Sequence, residues 1–255
     1  KDMGEYYVDV GSATSIYSKS HETTVVKIET ENGIVGWGEA QSPVSPNTTA
    51  TIIKDIVEPL TIGKDIYDVE SIWHNNYSSK RERGHYTGFY IDAICGVDIA
   101  IWDAIGKSLN MPTCKAMGGA HRKSVAVYNG IGGTEPEEVA DQAEWSVSKG
   151  YKFVKMHLKE NLEKDIEIAR KVRERVGDSI GIMIDVHMGF DTFNVIKLGK
   201  ELEKLNLLWI ESPSDPTDIP GLCEISRSLD IPIANGEWTR TKYEMREIFE
   251  KRAYD

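Results

Sequence analysis

The feature that most constrains this chain is a change of grammar in its second half, where short apolar runs alternate with amphipathic helical segments. The runs lie at 124–129, 152–158, 180–187, 207–211 and 231–237, and helical periodicity fills 135–149, 162–176, 191–205, 217–228 and 240–252. The repeat is near 26 residues. Strand, helix, strand in that order requires parallel neighbours joined by right-handed crossovers. A Gly-rich dinucleotide fingerprint does not follow the first run, so a nucleotide-binding open sheet is disfavoured and a (β/α) barrel is expected. Five strands fall short of the eight that close such a barrel. The pattern stops at Arg252-Ala253-Tyr254-Asp255, where a sixth strand would begin. It therefore reads as a barrel truncated after about five strands.

The first 120 residues read differently. TTVVKIET (23–30) and IVGWGE (34–39) are β-rich and meet through Asn32-Gly33, a two-residue hairpin signal. A turn-rich loop follows, then helical patterns at 49–60, 67–79 and 90–108, and a short segment ending at Met117-Gly118-Gly119. In the third helix Ala93, Ile94, Val97, Ile101, Ala104 and Ile105 recur at three- and four-residue steps, the mark of a buried face. Residues 1–120 are thus expected to form an α+β unit and 121–255 the partial barrel. The initial β-strand of the first unit reads as shortened or absent.

Composition narrows the class of partner. Of 255 residues 40% are apolar and 28% charged, ordinary for a folded globular chain. No apolar stretch approaches a membrane span, and no basic and apolar leader is visible. Thirty basic against 41 acidic residues leave a net charge of −11, which argues against nucleic acid. An anionic substrate would need local positive charge. Cys95, Cys114 and Cys223 are too few and too scattered for a disulfide framework or a thiolate zinc site. The glycosylation-like triplets at Asn47 and Asn76 read as chance, and a reduced, cytoplasmic compartment is expected.

Asp185, Glu211 and Glu237 each close an apolar run, 26 residues apart. In a parallel barrel that spacing sets three carboxylates on adjacent strands at the catalytic mouth. Gathered there they would repel one another unless a cation lay between them, and an all-oxygen set suits Mg²⁺. In FVKMHL, alternation puts Lys155 and His157 on one face and Val154, Met156 and Leu158 on the other. His187, two residues past Asp185, is expected to point inward as well. A divalent ion with such a lysine and histidines suits removal of a proton next to a carboxylate, a known pattern of enolase-type sites.

These motifs resemble the mandelate racemase-like branch of the enolase superfamily. The resemblance is carried by IETENGIVGWGEA, AICGVDIAIWDAIGK with LNMPTCKAMGG, KMH, DVH, WIESP and IPIANGE, which span nearly the whole chain. It implies an N-terminal α+β capping domain and a (β/α)7β TIM-like barrel. It also implies Mg²⁺ held by Asp185, Glu211 and Glu237, with substrate chosen by capping loops near 11–22 and 41–49. The loop RERGHYTG (81–88) is a further place for distal contacts. The branch's racemases carry Lys-x-Lys on the second strand, whereas His157 takes the second place here. Lys155 matches the position that polarises the substrate carboxylate, and His157 that of the proton-transferring base. Asp-x-His at Asp185 and His187 resembles the sugar-acid dehydratases, where such a histidine protonates the departing hydroxyl.

The resemblance accordingly implies a Mg²⁺-dependent hydro-lyase of carbohydrate catabolism, a homo-oligomer acting on an aldonate or aldarate. Two alternatives stay open: a racemase, epimerase or cycloisomerase using Lys155 or His157 as one of two opposed bases, and a metal-binding homologue without turnover.

Overall fold

The computed structural model describes residues 2–10, 14–158 and 161–255. Residues 2–10 and 14–124 pack as one compact unit, and the described residues from 125 onward as a second. No described helix is long and apolar enough to cross a membrane.

The first unit opens with strands that the sequence reading overlooked. β1 (Asp2–Met3), β2 (Tyr6–Val10) and β3 (Thr14–Ser18) form an antiparallel sheet in that order. Tyr7 and Tyr17 stack across it at 5.5 Å. The expected hairpin follows as β4 (Thr24–Glu29) and β5 (Val35–Ala40), in register from Thr24↔Ala40 to Glu29↔Val35. Its turn is longer than Asn32-Gly33 alone suggests. Thr30 N–H donates to the Ile34 carbonyl at 3.0 Å and Gly33, at φ 81°, donates to Thr30. That is a three-residue loop with glycine in the left-handed position.

Helix α1 (Pro46–Ile52) runs through a π-turn (Ile53–Val57) into α2 (Glu58–Thr61). The Glu58 N–H reaches back to the Ile53 carbonyl, a widened turn that precedes Pro59. The helical pattern read at 49–60 thus ends within a residue of its expected limit, at Thr61. After α3 (Val69–Ser79) comes α4 (Phe89–Ser108), whose Ile91, Ile94, Val97, Ile101 and Ile105 form the core of the unit with Val26, Ile72 and Tyr90. Short α5 (Thr113–Ala116) ends the unit's helices. Asn76 is buried and its amide donates to Ile72 and Thr61, consistent with a packing role for that triplet.

The second unit holds a parallel sheet in the order β10-β9-β8-β7-β6. Its members are β6 (Asn129–Gly132), β7 (Phe153–His157), β8 (Gly181–Asp185), β9 (Ile210–Glu211) and β10 (Ile233–Ala234). Between and after them lie α6 (Pro136–Ser148), α7 (Leu162–Val176), α8 (Thr192–Leu202), α9 (Ile219–Ser228) and α10 (Thr241–Lys251). The strand-and-helix alternation was read correctly, with shifted boundaries at four strands. The first strand is 129–132 rather than 124–129, because pairing begins at Asn129↔Val154; Val125 and Val127 upstream are exposed. β9 and β10 are shorter than their apolar runs, and Pro232 has no N–H with which to extend the ladder. β8 ends at Asp185, because His187 (φ 44°) and Met188 (φ 59°) turn left-handed.

One face of this sheet is covered by helices. Val154, Met156, Leu158, Ile182, Ile184, Val186, Ile210 and Ile233 pack there against Ile168, Val172, Val195, Leu198 and Ile225. Burial of this layer provides most of the unit's hydrophobic stabilisation. At the opposite end from the carboxylates, Arg173 is buried and donates to the carbonyls of Leu205, Gly177, Ile180 and Asn206. It ties the end of α7 to the approaches of β8 and β9.

Candidate active site

The sheet register builds the site. Gly132, His157, Asp185, Glu211 and Ala234 are neighbours across five parallel strands, a single row at the C-terminal edge. Alternation turns this row away from the helix layer, and Lys155, two residues earlier on β7, shares its face. Lys155 is 6% exposed and Asp185 3%, so two opposite charges lie buried on the face that carries no helices. Burial of that kind requires pairing. The Lys155 Nζ donates to Glu211 Oε1 at 2.9 Å and to Asp185 Oδ2 at 3.4 Å, a single cation shared by two carboxylates.

Electrostatics follow that geometry. Burial alone would lower the Lys155 pKa. The hydrogen bonds to Glu211 and Tyr128, together with the charges of Glu211 and Asp185, outweigh it and hold the ammonium well above the usual lysine range. The Tyr128 ring lies 5.2 Å beneath Nζ. Glu237 is pushed up, first by partial burial of its carboxyl and then by the charges of Asp185 and Glu211, with His187 and Lys155 opposing. These five side chains therefore share one field.

The remaining expected residues reach the site by different routes. His157 Nδ1 is 3.5 Å from Asp185 Oδ2, and its side chain is half exposed at the rim. Gly130 and Gly132 on β6 leave room beside it; a Cβ on Gly130 would stand 3.9 Å from His157 Nε2. His187 was expected to lie on the strand, and this is corrected, since β8 ends at Asp185; the charge of His187 still reaches Glu237. The place of His187 is set by its own N–H, which donates to Asp185 Oδ1 at 2.9 Å, and by an edge contact of its ring with Trp238 at 6.3 Å. Glu237 lies three residues beyond β10, in a turn, so it does not end a strand as expected.

The donor set has the chemistry of a hard-cation site: carboxylates on three successive units that already share a positive charge. Among the described residues no three Asp, Glu, His or Cys side chains stand close enough together to enclose an ion. In this arrangement the Lys155 ammonium supplies the charge instead. Asp185, Glu211 and Glu237 supply oxygen donors of the kind a hard divalent ion takes, without converging on one point here.

Three aromatic residues of the site were not singled out from the sequence. Tyr128 underlies Lys155, Trp238 meets His187, and Trp209 Nε1 donates to Glu211 Oε2 at 3.2 Å. Trp209 was legible, since it precedes Glu211 by two residues and alternation gives it the same face. Tyr128 and Trp238 flank strand ends and carry no periodic signal. The capping-loop expectation falls partly on 11–13, which lie outside the described residues. In the 81–88 loop, Arg81–Arg83 form a 3₁₀ turn, and the Arg81 guanidinium lies 5.8 Å over the Tyr77 ring.

Comparison with known proteins decides the family. Residues 10–118 match the N-terminal domain of mandelate racemase / muconate lactonizing enzyme, and residues 138–255 match the enolase C-terminal domain-like model. The chain belongs to the mandelate racemase-like branch of the enolase superfamily. Its fold is accordingly that of the superfamily, an N-terminal domain followed by a parallel-sheet barrel domain. Among relatives, arabinonate dehydratase of Saccharolobus solfataricus is 31% identical over 92% of this chain and 64% of its own length. The N-succinyl-L-Arg/Lys racemase of Bacillus cereus is 31% identical over 91% of this chain and 62% of its own. A solved structure from Sinorhizobium meliloti shares the fold with a TM-score of 0.92 at 33% identity, over 98% of this chain and 66% of that one. The chain thus spans somewhat under two thirds of the length of these two relatives.

Proposed function

We propose that this member of the enolase superfamily is a Mg²⁺-dependent acid-sugar dehydratase. It would remove the proton α to the carboxylate of an aldonate or aldarate and expel the β-hydroxyl as water, leaving a 2-keto-3-deoxy acid after tautomerisation. One observation carries this reading: the buried Lys155 ammonium shared by Glu211 and Asp185 at the ends of consecutive parallel strands. One ammonium among three carboxylates leaves the site net negative, so on a chain of net charge −11 an anionic substrate would be held there through the charge that a divalent ion adds.

Mg²⁺ held by Asp185, Glu211 and Glu237 would bind the substrate carboxylate and absorb the charge that develops when the α-proton leaves. Lys155, held charged by its neighbours, suits polarising the carboxylate rather than accepting a proton. His157, on the same face and open at the rim, is the proposed base on that side. His187, tethered through its backbone to Asp185, is the proposed acid that delivers a proton to the β-hydroxyl. The Asp-x-His pattern and the similarity to an arabinonate dehydratase support elimination.

A second reading, racemisation, is favoured by the Lys155/His157 pair on one strand and by the similarity to a racemase. Incubation with Mg²⁺ in deuterated buffer, against a panel of aldonates and aldarates, separates the two. Dehydration predicts a 2-keto acid. Inverted product carrying α-deuterium, with no keto acid, would replace it by racemisation. No exchange with any acid sugar would leave a metal-binding homologue without turnover.

A further inference from the structure

We infer that Trp209 is a positioning residue for the metal-ligand carboxylate of Glu211, an inference that rests on the metal reading above. The two oxygens of Glu211 are engaged differently. Oε1 takes the Lys155 ammonium at 2.9 Å, whereas Oε2 accepts from the indole Nε1 of Trp209 at 3.2 Å. Indole N–H can only donate, and the ring is rigid beyond two torsions, so its contact holds the carboxylate in one rotation. Glu211 needs such a constraint. It ends a two-residue strand, and the next residue, Ser212, turns left-handed at φ 48°. Asp185, by contrast, is held through Oδ1 by the His187 backbone N–H. Each of these two carboxylates therefore gives one oxygen to a fixed N–H donor and the other to the cation. The oxygens left to a cation are thus Oε1 of Glu211 and Oδ2 of Asp185, the two that the Lys155 ammonium engages. Outer hydrogen bonds of this kind are commonly worth about 10–100-fold in metal affinity.

The test is a Trp209→Phe variant of the 255-residue chain, which keeps the ring and removes only the N–H donor. Mg²⁺ affinity is measured by calorimetry, with thermal unfolding in EDTA as a check on the fold. The expected result is affinity weakened about tenfold or more, with metal-free stability nearly unchanged. In a ¹⁵N-indole spectrum, the resonance missing from the variant belongs to Trp209, and in the wild-type protein it shifts on Mg²⁺ addition. Unchanged affinity in the variant, or a Trp209 resonance that stays still while Mg²⁺ binds, overturns the inference alone. If folded wild-type protein binds no Mg²⁺, the metal reading falls and takes the inference with it. Should the variant melt early without metal, Trp209→His, which can retain an N–H donor, distinguishes the roles. Affinity restored by histidine supports positioning, and affinity still lost at restored stability overturns it.

Discussion

At the scale of single residues, Lys155 carries the largest burden. Its ammonium is nearly enclosed, with 8% of the side chain exposed, and it faces side chains of Asp185 and Glu211 that are 4% and 18% exposed. Removing one member of a buried charged set is far costlier than the net worth of the set, because the partners are left desolvated and unpaired. Lys155→Met should therefore destabilise the metal-free protein by about 3–5 kcal/mol. Added Mg²⁺ should recover part of that loss, because the ion takes over the role of counter-charge. Urea unfolding with and without Mg²⁺ measures both effects. Equal stability of variant and wild type in EDTA would show that Lys155 does not neutralise the carboxylates.

At the scale of elements, the contact between α4 and β5 is made close by small residues. A Cβ on Gly38 would collide with the Gly96 carbonyl oxygen, and one on Gly36 with that of Ala100. Both obstacles are backbone and cannot swing aside. Gly38→Ala should cost about 3 kcal/mol through displacement of the helix, read as an earlier denaturant midpoint. A midpoint within a few tenths of the wild type's stability would show that α4 shifts freely. The same pair of elements is fastened by Asp103, which accepts from the Trp37 N–H at 2.8 Å and from Lys107 at 2.6 Å. Lys107 first, and the Trp37 N–H second, hold the Asp103 carboxyl below its ordinary 3.8. Because the folded pKa is depressed, its contribution is full above 3.8 and fades as the pH falls through the folded value. Asp103→Ala should lose about 1 kcal/mol at neutral pH, and the difference from wild type should vanish in acid. A difference that persists undiminished at pH 2 would assign the effect to packing.

At the scale of the whole molecule, the sheet register turns three short strands into one charged rim. Ligand linkage makes that rim measurable without turnover: Mg²⁺ at 100 times its Kd should raise the unfolding free energy by about 2.7 kcal/mol. Hydrogen-exchange protection should gather in the amides after β7, β8 and β9. Glu237→Gln should abolish most of the gain, and a melting temperature indifferent to Mg²⁺ would remove the metal from the proposal.

The local order of strands and helices, the helix-facing stripe and the positions of Asp185, Glu211, Lys155 and His157 were all legible in the sequence. Each follows from periodicity, which depends only on residues close in the chain. The β1–β3 sheet was missed because its runs are short, although Tyr6, Tyr7, Val8 and Val10 of β2 are strand formers. His187 and Glu237 were read as strand residues, whereas both lie past the ends of their strands, where alternation no longer applies, although both share the field of Asp185 and Glu211. What only the tertiary structure decided is pairing across distance. Lys155 bridging to Glu211, Trp209 turned on Oε2 and Tyr128 beneath the ammonium all depend on register between strands. Register is settled by which buried faces and backbone donors satisfy one another, and no segment carries that information alone.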